Sequence, residues 1–428
     1  MHAADLLLLV LAVVILAWVL VSARLGQLSI TAPMAFVAAG LLVAVLPDRP
    51  IPFSPTSESA RLLAEYALVF VLFCDASRVS LSWLRDKARV TGRLLVLGLP
   101  LTIVLGVVAA WLLFPSDDVW IAAIIGAALA PTDAALGSSV MTDRRVPGFV
   151  RRVLNVESGL NDGIATPVVL FFIAAALATV DQSDVATALA SAGAELVGGV
   201  GLGIGVGWAG ATLIATSRRK RWMDPAVADL AAFPLPVIAY AGAVEIGING
   251  FVAAFVAGLA FGNTVRRTGE EPLTFAEDGG SVLSLIVWFV FGAAAVPTLL
   301  ESLTWQVVLY AVLSLTVIRV GPVLLVLIGS GVAGKDRWVI AWLGPRGLAS
   351  VVFALLALDA LGGTDSPGGL VTQVVGVTVL LSVVLHGITA VPIARSYAHA
   401  GPDATPEMPV RRAVPLPRPH RGGVEEPG

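Results

Sequence analysis

The strongest constraint on this chain is a succession of apolar stretches of roughly 17 to 25 residues, each bounded by charges or by Pro and Gly clusters. That is the length a helix needs to cross the hydrocarbon of a bilayer. The stretches lie near 6–22, 27–46, 60–77, 93–114, 119–140, 153–179, 188–215, 226–244, 249–262, 280–300, 305–330, 338–358 and 368–394. Lipid cannot satisfy backbone donors and acceptors, so such segments fold as helices. The expectation is an all-α membrane protein with about thirteen transmembrane helices. Composition agrees, with 57% hydrophobic and 13% charged residues and a mean hydropathy of +0.89, outside the usual range of soluble domains. The first stretch lacks the basic flank and small-residue cleavage site of a signal peptide and is kept as a span. The single cysteine, Cys74, excludes an internal disulfide and a cysteine-based zinc site.

Charge placement orients the chain, because Lys and Arg collect in short cytoplasmic loops. With the N-terminus outside, the inside loops carry Arg24, Arg78 to Arg93, Arg144 to Arg152, Arg218 to Arg221, Arg266, Arg267, Lys335 and Arg337. Of the 27 Lys and Arg, only Arg49 and Arg61 fall in outside loops, and only Arg319 and Arg346 fall inside apolar stretches. Residues 1–398 therefore read as one transmembrane domain. Residues 399–428 are polar and Pro-rich and read as a disordered cytoplasmic tail.

Charges inside a membrane are expensive and usually face a cavity or a partner. Asp133 lies in Ala130-Pro131-Thr132-Asp133, and Arg346 in Gly344-Pro345-Arg346-Gly347, seven segments later. Proline removes a backbone donor and disfavours helix in the residue before it, so both segments should break there. Paired interruptions at matching places point to the binding site of an inverted-repeat transporter. The expected architecture is two inverted six-helix repeats with crossed, broken fifth and twelfth helices. Asp133 and Arg346 could neutralise the ends of the half-helices.

The sixth stretch holds Glu157-Ser158-Gly159-Leu160-Asn161-Asp162. At helical spacing Ser158 and Asp162 share one face and Glu157 and Asn161 an adjacent one. Ser158 and Asp162 can offer oxygen ligands to a bare cation, helped by carbonyls freed near Thr132 and by Asp133. Glu157 needs a basic partner, either Arg346 or Arg319. Asp75 lies near a cytoplasmic boundary, where snorkelling or pairing with Arg78 would suffice. Glu65, Glu195 and Asp229 read as interfacial or inter-helix contacts, and His386 as a packing or interfacial residue rather than a proton relay. The small residues of 196–203 suit close helix packing.

Taken together, Glu157 to Asp162, Pro131-Thr132-Asp133 and Gly344-Pro345-Arg346-Gly347 resemble the monovalent cation:proton antiporter-1 family, the sodium/proton exchangers. Residues 249–259 and His386 to Pro392 resemble two further signatures of that family. The resemblance implies that Asp162 binds both the ion and the proton, with the main-chain oxygen of Thr132, Asp133 and Ser158 as further cation ligands. It implies a structural ion pair of Glu157 with Arg346; Arg319 stays the alternative basic partner from the residues alone. Asn161 before Asp162 resembles the electroneutral branch, in which one cation exchanges for one proton. A homodimer in the plasma membrane, serving pH homeostasis, is also implied. Two positions depart from the pattern: Phe73 to Ser77, where an acidic-Gly pair is expected, and Pro345, where an apolar residue is more usual.

No enzyme is expected, since the sequence offers no intramembrane nucleophile–base pair and no HExxH motif. Nor is a cofactor or a nucleic-acid partner expected; the partners would be a monovalent cation, protons and the bilayer. The rival readings are a potassium/proton antiporter, a transporter of another small solute on the same scaffold, and a non-transporting sensor. The last has no use for two buried carboxylates beside a helix break.

Overall fold

Each apolar stretch is occupied by a helix or by two half-helices, the outcome expected where backbone polar groups have no other partner. The computed structural model describes residues 3–45, 58–81, 89–115, 118–268, 273–363 and 366–397. The expected tail, 399–428, and the loop residues Arg49, Arg85 and Lys87 lie outside the described residues.

In chain order the helices are α1 (Ala3–Gln27), α2 (Ala32–Ala44), α3 (Glu58–Arg78), α4 (Arg89–Leu113), α5 (Val119–Ala128) and α6 (Ser138–Met141). There follow α7 (Gly148–Val180), α8 (Val185–Arg219), α9 (Pro234–Glu245), α10 (Gly250–Thr268) and α11 (Thr274–Glu301). The last four are α12 (Trp305–Val326), α13 (Gly334–Trp342), α14 (Leu348–Leu361) and α15 (Pro367–Arg395). Among the described residues there is no strand. Seven of these helices (α1 from Leu9, α4, α7, α8, α11, α12 and α15) are long and apolar enough to cross a membrane unaided. Helix starts follow ordinary capping chemistry: the Asp118 carboxylate accepts from Trp120 N at 2.8 Å and that of Asp184 from Thr187 N at 3.0 Å.

The two predicted breaks are present. α5 stops at Ala128, short of Pro131, and the chain becomes helical again only for the single turn of α6. α13 stops at Trp342, before Pro345, and α14 starts at Leu348. The two interruptions meet, since Asp133 N donates to the Pro345 carbonyl at 2.8 Å.

A stack of close-packed helices stands beside this crossing. Gly199, Gly203 and Gly207 recur every fourth residue along α8, and a Cβ at each would run into the Asn249, Ala253 and Ala257 carbonyls along α10. On another side of α10, Gly258 and Gly262 lie against the Phe73 and Ser77 backbone of α3. Small residues let membrane helices approach to backbone contact, as the sequence pattern predicts for 196–203. Leu72, Phe73 and Ala76 of α3 are buried, and the Phe73 ring lies 5.6 Å from that of Phe261 on α10.

Candidate functional site

The crossing is held by an exchange of caps. Asp133, between α5 and α6, accepts from Ala135 N at 2.7 Å through one oxygen and from Leu348 N at 3.2 Å through the other. Leu348 is the first residue of α14, so a negative charge sits at that helix's positive end. Arg346, fully buried between α13 and α14, reaches the other way. Its Nη1 donates to the Ala130 and Pro131 carbonyls just past the end of α5, at 3.0 and 3.1 Å, and its backbone N donates to Ser382 Oγ at 2.7 Å. Glycine at 347 is required by close approach, because a Cβ there would overlap the Asp133 carboxylate.

This geometry corrects one expectation. Glu157 does not pair with Arg346; its carboxylate lies 2.7 Å from Arg319 Nη2, with both side chains almost completely buried. The reason is directional. Arg346 is committed to the carbonyls at the end of α5, whereas Arg319, on α12, comes in over Gly344, where a Cβ would collide with its guanidinium. Leaving Glu157 without either arginine would strand a charge in the membrane, and Arg319 is the one that reaches it.

α7 carries the remaining predicted residues to the break. The Ser158 hydroxyl donates to the Thr132 carbonyl, and Asn161 Nδ2 donates to the Thr132 hydroxyl at 2.7 Å. Ser158, Asn161 and Thr132 are all buried. One turn beyond Ser158, Asp162 is 7% exposed, and its Oδ1 has no hydrogen-bond partner among the described residues. Asp162 lies on the wall of a cavity of about 640 Å³ whose lining also includes Asp75, Asp133, Ser139, Asn155 and Glu277. The cavity reaches Arg78 at the end of α3 and Gly26 near the end of α1. Oxygen ligands beside a carboxylate on a cavity wall suit a small hard cation.

Sequence reasoning undervalued Asp75. It is paired with Arg78 at 3.5 Å, as expected, yet it also lines the same cavity as Asp162. The usable signal was Gly159: a Cβ there would lie 3.4 Å from Asp75, so α7 and α3 pack closely beside the polar cluster. Glu65 likewise has company from distant sequence, accepting from the Tyr240 hydroxyl at 2.8 Å, besides lying 3.6 Å from Arg61 one turn before it. His386 is buried, with Nδ1 against Ser382 and Nε2 3.0 Å from the Trp342 carbonyl, and so is a packing residue.

An all-helical membrane chain with two interrupted helices crossing beside a buried carboxylate has the architecture of a secondary active transporter. The sequence matches the family model "Sodium/hydrogen exchanger, transmembrane" over residues 9–396, and the chain belongs to that family. It is 30% identical over 421 residues to the K(+)/H(+) antiporter NhaP of Alkalimonas amylolytica, covering 95% of this chain and 70% of that one. It is 29% identical over 418 residues to the K(+)/H(+) antiporter NhaP2 of Shewanella sp. (strain ANA-3), covering 95% and 67%. Among solved structures, the sodium proton antiporter MjNhaP1 from Methanocaldococcus jannaschii shares the fold with a TM-score of 0.72 at 21% identity, over 93% of this chain and 99% of that one. The protein is a multi-pass membrane antiporter of a monovalent cation against protons, and not an enzyme.

Proposed function

We propose that the exchange takes place at Asp162, with Ser158, Asp133 and the Thr132 carbonyl as further oxygen ligands and Asn161 steadying Thr132. The observation that carries this reading is the Asp162 carboxylate: buried, on the cavity wall, with one oxygen lacking a hydrogen-bond partner among the described residues. Low dielectric favours the neutral form of a carboxylate, and a bound cation favours the ionised form. Proton and cation therefore displace one another. If the site faces each side of the membrane in turn, and changes sides only when Asp162 is protonated or cation-loaded, exchange is obligatory. Glu157, neutralised by Arg319, stays outside this chemistry, and Asn161 leaves the site a single titrating aspartate on that face of α7, which supports a one-for-one, electroneutral cycle.

Sodium is the cation that the family pattern suggests. Potassium is the second reading, supported by the names of the relatives from Alkalimonas and Shewanella. The distribution of Lys and Arg supports an outside N-terminus, a cytoplasmic tail and a cavity opening toward the cytoplasm of the plasma membrane. A homodimer with a role in pH homeostasis is the assembly and setting we infer, with residues 1–398 as the transport domain.

The test is proton flux in proteoliposomes driven by lithium, sodium or potassium, with and without an imposed membrane potential. Asp162→Asn is expected to abolish cation-dependent flux for every cation. Retained exchange in that variant refutes the site. A rate set strongly by potential refutes the one-for-one stoichiometry.

A further inference from the structure

Among the described residues, five charged side chains line the cavity: Asp75, Asp133, Asp162 and Glu277, and one cation, Arg78. Their pairing is uneven. Arg78, in the last turn of α3, presents two nitrogens to Glu277, in the first turn of α11, with Nε and Nη2 each 3.1 Å from a different carboxylate oxygen. The remaining contact, Nη1 to Asp75, is 3.5 Å long. Two-point contact is the strong and directional arrangement for a guanidinium and a carboxylate, so Glu277 holds Arg78 by two short contacts and leaves Asp75 a single long one. Both helix ends favour this placement, an acid at the start of α11 and a base at the end of α3.

We propose that Glu277 is a positioning residue that restricts Arg78 to one long contact with Asp75, so that the Asp75 carboxylate is left only partly neutralised and draws cations through the cavity toward Asp162. Arg78 is then a displaced counter-charge, and its position sets the apparent cation affinity. The inference rests on the proposal that Asp162 is the exchange site. With Glu277 removed, the carboxylate within ion-pairing distance of Arg78 among the described residues is Asp75, which lies one turn before it on the same helix.

The experiment compares the apparent KM for the driving cation and the maximal rate in proteoliposomes, for wild type, Glu277→Gln, Arg78→Gln and the double variant. Glu277→Gln is expected to raise KM about three- to tenfold at low ionic strength with little change in maximal rate, and the effect should shrink when choline chloride is added. The double variant has the same net cavity charge as wild type and is expected to return KM to within about twofold of it. Arg78→Gln should not raise KM. An unchanged KM in Glu277→Gln overturns the proposal, as does a KM that stays high in the double variant, which would assign the effect to the Glu277 carboxylate itself. A rise in KM that choline chloride does not reduce also overturns it, as a packing defect. Asp162→Asn, run in parallel, separates the two readings: flux in that variant removes the site, whereas a silent Asp162→Asn with an unaltered Glu277→Gln removes only the positioning role.

Discussion

The replacement of Arg346 by Arg319 as the partner of Glu157 can be decided by mutation. At 2.7 Å, two unit charges attract by about 6 kcal/mol at an effective dielectric of about 20. Desolvation of each ion costs several kcal/mol and offsets much of this, so the pair contributes little net stability. Removing one partner is different, because the other is left charged and buried, at a cost of about 3–5 kcal/mol. Arg319→Met and Glu157→Leu should each destabilise by that amount, and the double variant by much less than their sum, giving a coupling of about 3 kcal/mol. The corresponding cycle of Glu157→Leu with Arg346→Met should give less than about 1 kcal/mol, because Arg346 spends its hydrogen bonds on carbonyls. SDS titration of purified protein in mixed micelles, followed by the fluorescence of its 10 tryptophans, measures both cycles. A larger coupling for Arg346 than for Arg319 would refute the pairing.

Two further outcomes follow from packing. Gly203→Leu should destabilise the protein by about 2–3 kcal/mol in the same titration, because a Cβ there meets the Ala253 carbonyl at 2.5 Å; Gly205→Leu, where nothing lies within 4 Å, should be tolerated. Tyr240→Phe should cost about 1.5–3 kcal/mol by removing the donor to Glu65, and a variant as stable as wild type would contradict that contact.

The fold was legible to the extent that lipid leaves the backbone few choices. Apolar length located the helices, and Pro131 and Pro345 located the breaks to within a few residues, because both signals are local to the chain. Helical spacing also placed Ser158 and Asp162 on one face, and the structure brings Ser158 and Asn161 onto Thr132. What the sequence left open was pairing across helices. Glu157 had two intramembrane arginines within its possible reach, and the choice depends on which guanidinium is diverted to the end of α5 and on the gap that Gly344 leaves for the other. Asp75 and Glu65 were weighed by their immediate neighbours. Their decisive contacts, with the α7 cavity wall and with Tyr240, are made by residues far along the chain.

The exchanged caps also set an order of assembly. The Asp133 to Leu348 bond and the Arg346 to Pro131 bond each join groups 215 residues apart. A ribosome delivers α5 and its break to the membrane long before residues 345–348 exist. Until then the carbonyls at Ala130 and Pro131 and the Asp133 carboxylate lack the partners that later cover them, and lipid can supply none. The first half of the protein must therefore wait, with that stretch kept in contact with water or with the insertion machinery. Only when α13 and α14 arrive can either half become a finished membrane domain.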